Sequence, residues 1–282
     1  MDGFSQLRFS GSCLDRQKTT TADEVPFFPT EALVKCGPAL ILPSMSRPFK
    51  RLRHQLRLAC GRHRHHERAL TNLLTHHHID LVVDVGAHTG GYCELLHDLG
   101  YRGEAILVEP LSWAHEKLAA KAKRYSRWQV VPRCVLGATP GEARLKVARN
   151  GVSSSMLTAA PGQDGGDLAQ VEEQVVPQRT LDELLATVDL DKHRTLVKLD
   201  VQGFEAAVLD GGRRVLPKVR ALQLELSVQA LYQGQADWLA LLHRLCGEGG
   251  DGWRLWQIPE LSTDRASGEL QQFDVILVRG NS

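Results

Sequence analysis

Three short stretches of the chain set a carboxylate beside small residues at the end of an apolar run. The first, Val82-Val83-Asp84-Val85-Gly86-Ala87-His88-Thr89-Gly90-Gly91, passes from a buried strand through glycines into a helix. Small residues there let the backbone approach a ligand closely, and the helix start offers unpaired N–H groups. Asp84 supplies an acceptor for an ammonium group. The second, Val108-Glu109-Pro110, puts a carboxylate just past a strand, where doubly wound nucleotide sites hold the paired hydroxyls of a ribose. The expected ligand-binding set is therefore Asp84, Gly86, Ala87, His88, Gly90, Glu109 and Pro110. The spacing Gly86-x-His88-x-Gly90 lacks the middle glycine of a dinucleotide fingerprint, and His88 would obstruct a pyrophosphate, which disfavours a dinucleotide.

The third stretch, Leu196-Val197-Lys198-Leu199-Asp200-Val201-Gln202-Gly203-Phe204-Glu205, repeats the pattern of strand, acid, glycine and helix. If its strand neighbours the first one, Asp200 faces the crevice beside Gly86, placed to orient a hydroxyl or accept its proton. Glu205 is assigned with it as a catalytic acid, although a carboxylate on the first turn of a helix also serves the helix dipole. Glu225, in Leu224-Glu225-Leu226, is a further acid on the same edge. Three carboxylates can hold a divalent metal, but no histidine joins them at ligand spacing, so no metal is assigned. Lys198 lies on the same strand face as Asp200 and can pair with it.

The elements that must position these residues alternate regularly. Strands are predicted at Leu81–Val85, Ala105–Val108, Trp128–Leu136, Thr195–Leu199, Ala221–Leu226, Trp253–Ile258 and Phe273–Val278, with helices at Tyr92–Leu99, Ser112–Tyr125, Leu181–Thr187, Phe204–Leu216 and Trp238–Cys246. A hairpin-like excursion at Ala143–Ala148 and a polar segment reaching about Gln174 intervene, the latter a candidate lid or substrate loop. Strand and helix in repetition mean an α/β fold with a doubly wound, mostly parallel seven-stranded sheet covered on both faces.

Composition sets the frame. A formal charge of +1 gives no whole-protein field that selects nucleic acid, and no apolar run reaches the roughly 18 residues that span a bilayer. The expectation is a cytoplasmic protein with no stable membrane insertion and no nucleic-acid partner. The six cysteines are scattered, with no Cys-x-x-Cys spacing, and read as reduced thiols. Residues 1–46 show no sustained period and are expected to form an arm. Residues 47–79 form a basic helical lead-in, where arginines from Arg51 to Arg68 interleave with Leu52, Leu56 and Leu58; residues 80–282 form the main domain. His76, His77 and His78 read as a helix end, because three consecutive side chains cannot converge on one ion.

Together these stretches resemble the FkbM family of methyltransferases over roughly residues 80–279. The resemblance rests on Asp-Val-Gly-Ala followed by glycine, Glu109-Pro110, Ser154-Ser155-Met156-Leu157, Leu181-Asp182, and Lys198-x-Asp200-x-Gln202-Gly203-Phe204-Glu205. Glu225-Leu226-Ser227, Leu231 to Gln235 and the late Gln272-to-Ile276 strand are similar to a bacterial subgroup of that family. The resemblance implies a class I methyltransferase, Rossmann-like fold whose seventh strand is antiparallel, S-adenosylmethionine as cofactor, and O-methylation of a sugar, glycan or small natural product. Two positions depart from the family's pattern: His88 stands where an Asn is usual, and Gln202 where an acid is common.

Three functions compete on the sequence. The first is an S-adenosylmethionine-dependent O-methyltransferase acting on a small-molecule or carbohydrate acceptor, with a homodimer admissible. The second is a catalytically idle module of the same fold that docks on an anionic partner through Arg47–Arg68. The third, a nicotinamide-dependent oxidoreductase, is disfavoured by His88. Hydrolysis by a serine nucleophile has no support, since no Gly-x-Ser-x-Gly elbow follows a strand.

Overall fold

The computed structural model describes residues 65–264 and 266–280. The arm expected over residues 1–46, the basic segment from Arg47 up to residue 64, and Cys13, Cys36 and Cys60 lie outside the described residues. The description begins with α1 (His65–His76), whose Ala69, Leu70, Leu73 and Leu74 are buried at helical spacing. His76 closes that helix, and His77 follows it as a turn residue.

The main sheet starts with β1 (Leu81–Val85), buried along its whole length. Next come α2 (Gly91–Asp98), β2 (Glu104–Val108), α3 (Ser112–Ala122) and β3 (Trp128–Val130). The chain then leaves this sheet and returns through β7 (Thr195–Leu199), α5 (Glu205–Asp210), β8 (Ala221–Ser227), α6 (Trp238–Cys246), β9 (Trp253–Gln257), β10 (Leu261–Thr263) and β11 (Leu270–Arg279). Strands β3, β2, β1, β7 and β8 lie side by side and parallel, and β11 joins β8 antiparallel. The far edge of β11 carries β9 and β10 in succession, so they form one sixth strand interrupted around Pro259, which has no N–H to donate.

Strand order reverses between β1 and β7, which are paired from Leu81↔Thr195 to Val85↔Leu199. A crevice opens at such a reversal, at the carboxyl ends of the strands. Both faces of the sheet are covered. Val83, Val85, Val197, Leu199, Leu222 and Leu224 belong to one apolar cluster, and Val82, Leu107, Leu196, Ala221 and Ile276 to another that includes Leu70 and Leu73 of α1. Each such fully buried side chain stabilises the fold by roughly 1.5–3 kcal/mol.

Three stretches differ from the sequence expectation. The predicted strand Trp128–Leu136 is divided: β3 stops at Val130, and β4 (Val135–Leu136) resumes beyond Pro132 in a second sheet. That sheet has the order β4, β6, β5, with β5 (Gly141–Ala148) antiparallel to β6 (Gln170–Arg179). The segment expected as loop up to about Gln174 therefore runs into a strand. Its sequence hid this because β6 buries only Val176 fully, so no apolar alternation marks it. After β6, Thr180 and Glu183 form a reciprocal capping box at the start of α4 (Leu181–Leu184). The helix expected over Phe204–Leu216 ends at Asp210, before Gly211-Gly212.

Candidate active site

Backbone hydrogen bonds tie the three strand ends together. Val108 O accepts from both Gly86 N and Ala87 N at 3.0 Å, and Val85 O accepts from Asp200 N at 3.1 Å. Gly86 has φ +84, a left-handed conformation open to glycine, and its α-carbon faces the backbone of Asp200. The turn after β1 is thus clamped between β2 and β7.

A cleft of about 670 Å3, counting its solvent-open mouth, lies over this turn. Gly86, His88, Glu109, Pro110, Asp200 and Gln202 line it, together with an apolar wall that includes Val108, Val135, Leu136 and Leu145. Five of the residues singled out in the sequence therefore meet around one cavity. Glu109 is buried and accepts from His88 N through Oε2 and from Leu111 N through Oε1, both at 2.7 Å. Burial pushes its carboxyl up to about 7 despite these two bonds. Each carboxylate oxygen keeps a second acceptor site, so Glu109 can still receive two hydroxyl protons.

A second cleft, of about 1060 Å3 including open space, shares Gly86, His88 and Asp200 with the first. Its other walls include Ala87, Thr89, Tyr92, Lys198, Gln223, Glu225, Ser262, Gln272 and Asp274. Asp200 stands where the two clefts meet. Its Oδ2 accepts from Lys198 Nζ at 3.1 Å and its Oδ1 from Gln202 Nε2 at 2.9 Å. Burial alone would raise the Asp200 carboxyl, but the Lys198 ammonium and the bonds it accepts outweigh burial and hold it below the usual range.

Three expected residues have other roles in the fold. Asp84 lines neither cleft. Its side chain is fully buried, with Lys198 Nζ 3.5 Å from Oδ1 and Cys93 Sγ 3.7 Å from Oδ2, because the pleat turns it onto the face covered by α2. It cannot meet a ligand's ammonium group directly; it meets Lys198 instead. Gly90 packs against α3: a Cβ there would lie 2.8 Å from Leu118 Cδ1. Glu205 is buried, and its Oε1 accepts from Val201 N at 3.3 Å and Gly203 N at 3.2 Å, so it fastens the loop after β7. Burial raises its carboxyl to about 7.

The FkbM methyltransferase domain model matches residues 84–251, more than half of the chain. The chain belongs to the FkbM methyltransferase family. No curated protein matches it. Among solved structures, an FkbM methyltransferase from Methylobacillus flagellatus KT is 17% identical over 70% of this chain and 43% of that one, with a TM-score of 0.43. This chain thus spans less than half of that protein. An O-methyltransferase from Bacillus cereus, solved in complex with SAH, is 11% identical over 85% of this chain and 94% of that one, with a TM-score of 0.44.

In this member of the FkbM family, the residue that sequence reasoning undervalued most is Gln202. It sits at φ +54, and its Nε2 donates to Asp200 and also to Glu225 Oε2 at 2.8 Å. The Ser154–Leu157 motif explains how that strained residue is held. Ser155 is buried and donates from Oγ to Gln202 O at 2.7 Å, while Ser154 and Met156 line the first cleft. A serine-rich stretch in a polar segment was the available signal; its partner across 47 residues was not. The apolar wall beyond Pro132 was equally hidden by the division of the third strand.

Proposed function

We propose that this FkbM methyltransferase uses S-adenosylmethionine to methylate a hydroxyl of a sugar, glycan or small natural product. The observation that carries this reading is the convergence of the Gly86 turn, the Glu109 carboxylate and Asp200 on one cleft. The residues present fit the cofactor. The Gly86 turn lines the cleft with main chain, Glu109 retains acceptor capacity for two ribose hydroxyls, and Val108, Val135 and Leu136 offer an apolar surface to a purine. Bound there, S-adenosylmethionine supplies a methyl group on a sulfonium, which already carries its leaving group.

The protein's own task is then to align an acceptor and dispose of one proton. Asp200, anionic and fixed between Lys198 and Gln202, accepts a hydrogen bond from a hydroxyl beside the one that reacts and sets the direction of the acceptor. The second cleft brings Gln223, Ser262, Gln272 and four carboxylates, Asp200, Glu225, Glu260 and Asp274, to the same place. Most of these carboxylates are already engaged: Asp200 by Lys198, Glu225 by Gln202, and Asp274 by the Gln223 amide at 2.7 Å. Hydrogen-bonding capacity rather than net charge is what the cleft offers, which suits a neutral polyhydroxylated acceptor. Among the described residues no helix is long and apolar enough to cross a membrane. A cytoplasmic location belongs to the same proposal.

The test is calorimetry with S-adenosylmethionine, followed by mass spectrometry of glycan extracts incubated with a labelled methyl donor. Binding in the micromolar range, a loss of at least about 10-fold in Glu109→Ala, and a mass gain of one methyl on a hydroxyl support it. Unchanged affinity in Glu109→Ala removes the ribose assignment, and absence of cofactor binding removes the reading. Salt-sensitive binding of an anionic partner with no methyl transfer would favour the idle module instead.

A further inference from the structure

We infer that Glu225, rather than Asp200 or Glu205, takes the proton from the acceptor hydroxyl, and that Glu225 and Asp200 work as a carboxyl pair bridged by Gln202. The inference rests on the transfer chemistry proposed above. Its starting point is one nitrogen. Gln202 Nε2 has two protons, and it donates one to Asp200 Oδ1 and the other to Glu225 Oε2. The amide cannot readily turn over, because its oxygen would then face the Asp200 and Glu225 carboxylates, and the Tyr232 hydroxyl stands 3.1 Å from Oε1 on its other side. That hydroxyl also lies 2.9 Å from the Ser153 carbonyl, which fixes it in turn. Two carboxylates from different strand ends are thus held within reach of a single amide, at the wall of the cleft proposed for the acceptor.

Two carboxyl groups so placed do not both ionise easily, and the surroundings decide which one does. Lys198 answers this. Its ammonium contacts Asp200 Oδ2, and beneath it Asp84 pairs with the same nitrogen. Asp200 is the member given a counter-ion and becomes the standing anion. Glu225 faces Asp200, Asp274 and Glu205, three acids on three neighbouring elements, with Lys198 as the cation that opposes them. Burial first, and these acids next, push its carboxyl well above the usual range. A raised carboxyl is the stronger base once ionised. Glu205 is a poorer choice because its Oε1 is spent on two backbone N–H groups and it lines neither cleft.

The acceptor O–H bond breaks and its proton goes to a Glu225 carboxylate oxygen. The oxygen's electron pair forms the new bond to the methyl carbon, and the carbon–sulfur bond of the donor breaks with its pair left on sulfur. Asp200 keeps its charge throughout and holds the acceptor in line.

The experiment combines isotope-edited infrared titration of the ligand-free protein, labelled with 13C-glutamate, with turnover of the glycan extracts. The expected result is protonated-carboxyl absorption present at pH 6 and lost as pH rises towards 9, from which Glu225→Gln removes the component that titrates highest and leaves those of Glu109 and Glu205. In Asp200→Asn the like charge is gone and Lys198 is freed, so the Glu225 component, which has Asp200 as its foremost neighbouring charge, should disappear at lower pH. In turnover, Glu225→Gln should fall about 100-fold while its affinity for S-adenosylmethionine stays within threefold of wild type. The inference is overturned if Glu225→Gln leaves the infrared titration unchanged, if Asp200→Asn leaves the Glu225 titration in place, or if Glu225→Gln turns over within threefold of wild type. Failure of the wild type to bind S-adenosylmethionine would sink the functional reading instead, and the infrared titration would then judge the pair alone.

Discussion

A side chain on Gly86 would overlap the backbone carbonyl of Asp200, so the turn after the first strand and the loop after the fourth predicted strand touch through main chain alone. Gly86→Ala must therefore shift one of them, and it also places a Cβ at φ +84, which costs roughly 1–2 kcal/mol before any clash. The expected outcome is destabilisation of at least about 2 kcal/mol, or a melting temperature lower by roughly 4 °C or more for a protein of this size, with loss of cofactor affinity. Calorimetric melting and binding isotherms check both, and a variant as stable as wild type would show that the two backbones are less tightly apposed.

Glu109 gives the cofactor cleft a pH dependence. Its carboxyl is raised to about 7, and holding ribose hydroxyls calls for the ionised form. Affinity for S-adenosylmethionine should therefore tighten as pH rises through 7 and be weaker by about 10-fold at pH 6 than on the alkaline plateau. In Glu109→Gln that slope should vanish at a uniformly weaker affinity. A wild-type isotherm that does not change between pH 6 and pH 8 would exclude Glu109 as the titrating contact.

Glu205 should matter for folding rather than for transfer. With Ala in its place, the buried N–H groups of Val201 and Gly203 lose their acceptor, at about 1–3 kcal/mol for each unsatisfied group. The sign of its pH effect follows from a folded-state value of about 7, above the ordinary one. The folded protein binds the proton more tightly, so this contribution is fully present below the ordinary carboxylate value and is lost as pH rises through about 7. Denaturant melts at pH 5 and pH 8 should show a smaller difference for Glu205→Gln than for wild type. Turnover of Glu205→Gln within a few-fold of wild type would agree with its role as a loop fastener, and a 100-fold loss would contradict it.

His88 and Trp113 offer a spectroscopic check on the mouth of the cleft. His88 sits at φ +47, its ring packs edge-on against Trp113 with centroids 5.0 Å apart, and its N–H donates to Glu109. Asparagine tolerates the left-handed conformation well. Accordingly, His88→Asn should keep the backbone bond to Glu109 and change cofactor affinity by less than about 3-fold, a loss under 1 kcal/mol, while shifting the tryptophan emission. An affinity loss above 10-fold would mean that the imidazole itself holds ligand.

What the sequence made legible follows from which interactions are local. The strands β1, β2, β7 and β8 are short apolar runs ended by acid or glycine, and both cues lie within ten residues, so the sheet and the acids at its carboxyl edge could be placed by pattern. Glu109 and Asp200 came together because strand order decides which ends are neighbours. Asp84 misled because a strand-end acid was taken to face the crevice, whereas the pleat sends it to the opposite face, beside Lys198. The parts that stayed hidden depend on distant partners. The strand β6 is polar and exists through its ladder with β5. The importance of Gln202 comes from Glu225, Ser155 and Tyr232, each reached across a long stretch of chain.

Lys198 pairs with Asp84 as well as with Asp200. Asp84 is fully buried, and burial outweighs the attraction of Lys198, so its carboxyl is raised. Lys198 is itself buried; burial pulls its ammonium down, but Asp200 and Asp84 outweigh that, and the net direction is up. Removing the cation alone leaves two acids without their counter-ion, and breaking a buried pair in this way typically costs about 3–5 kcal/mol. Lys198→Met should therefore be strongly destabilised. Replacing Asp84 as well, by Asn, removes one of the stranded charges, so the double variant Asp84→Asn with Lys198→Met should recover part of the loss, with a coupling energy of roughly 0.5–3 kcal/mol. The recovery should grow as pH rises from 5 to 8, since the orphaned carboxylates then ionise more fully. Additive effects of the two substitutions, measured by denaturant unfolding, would show that Lys198 answers to Asp200 alone and that Asp84 is a bystander beneath it.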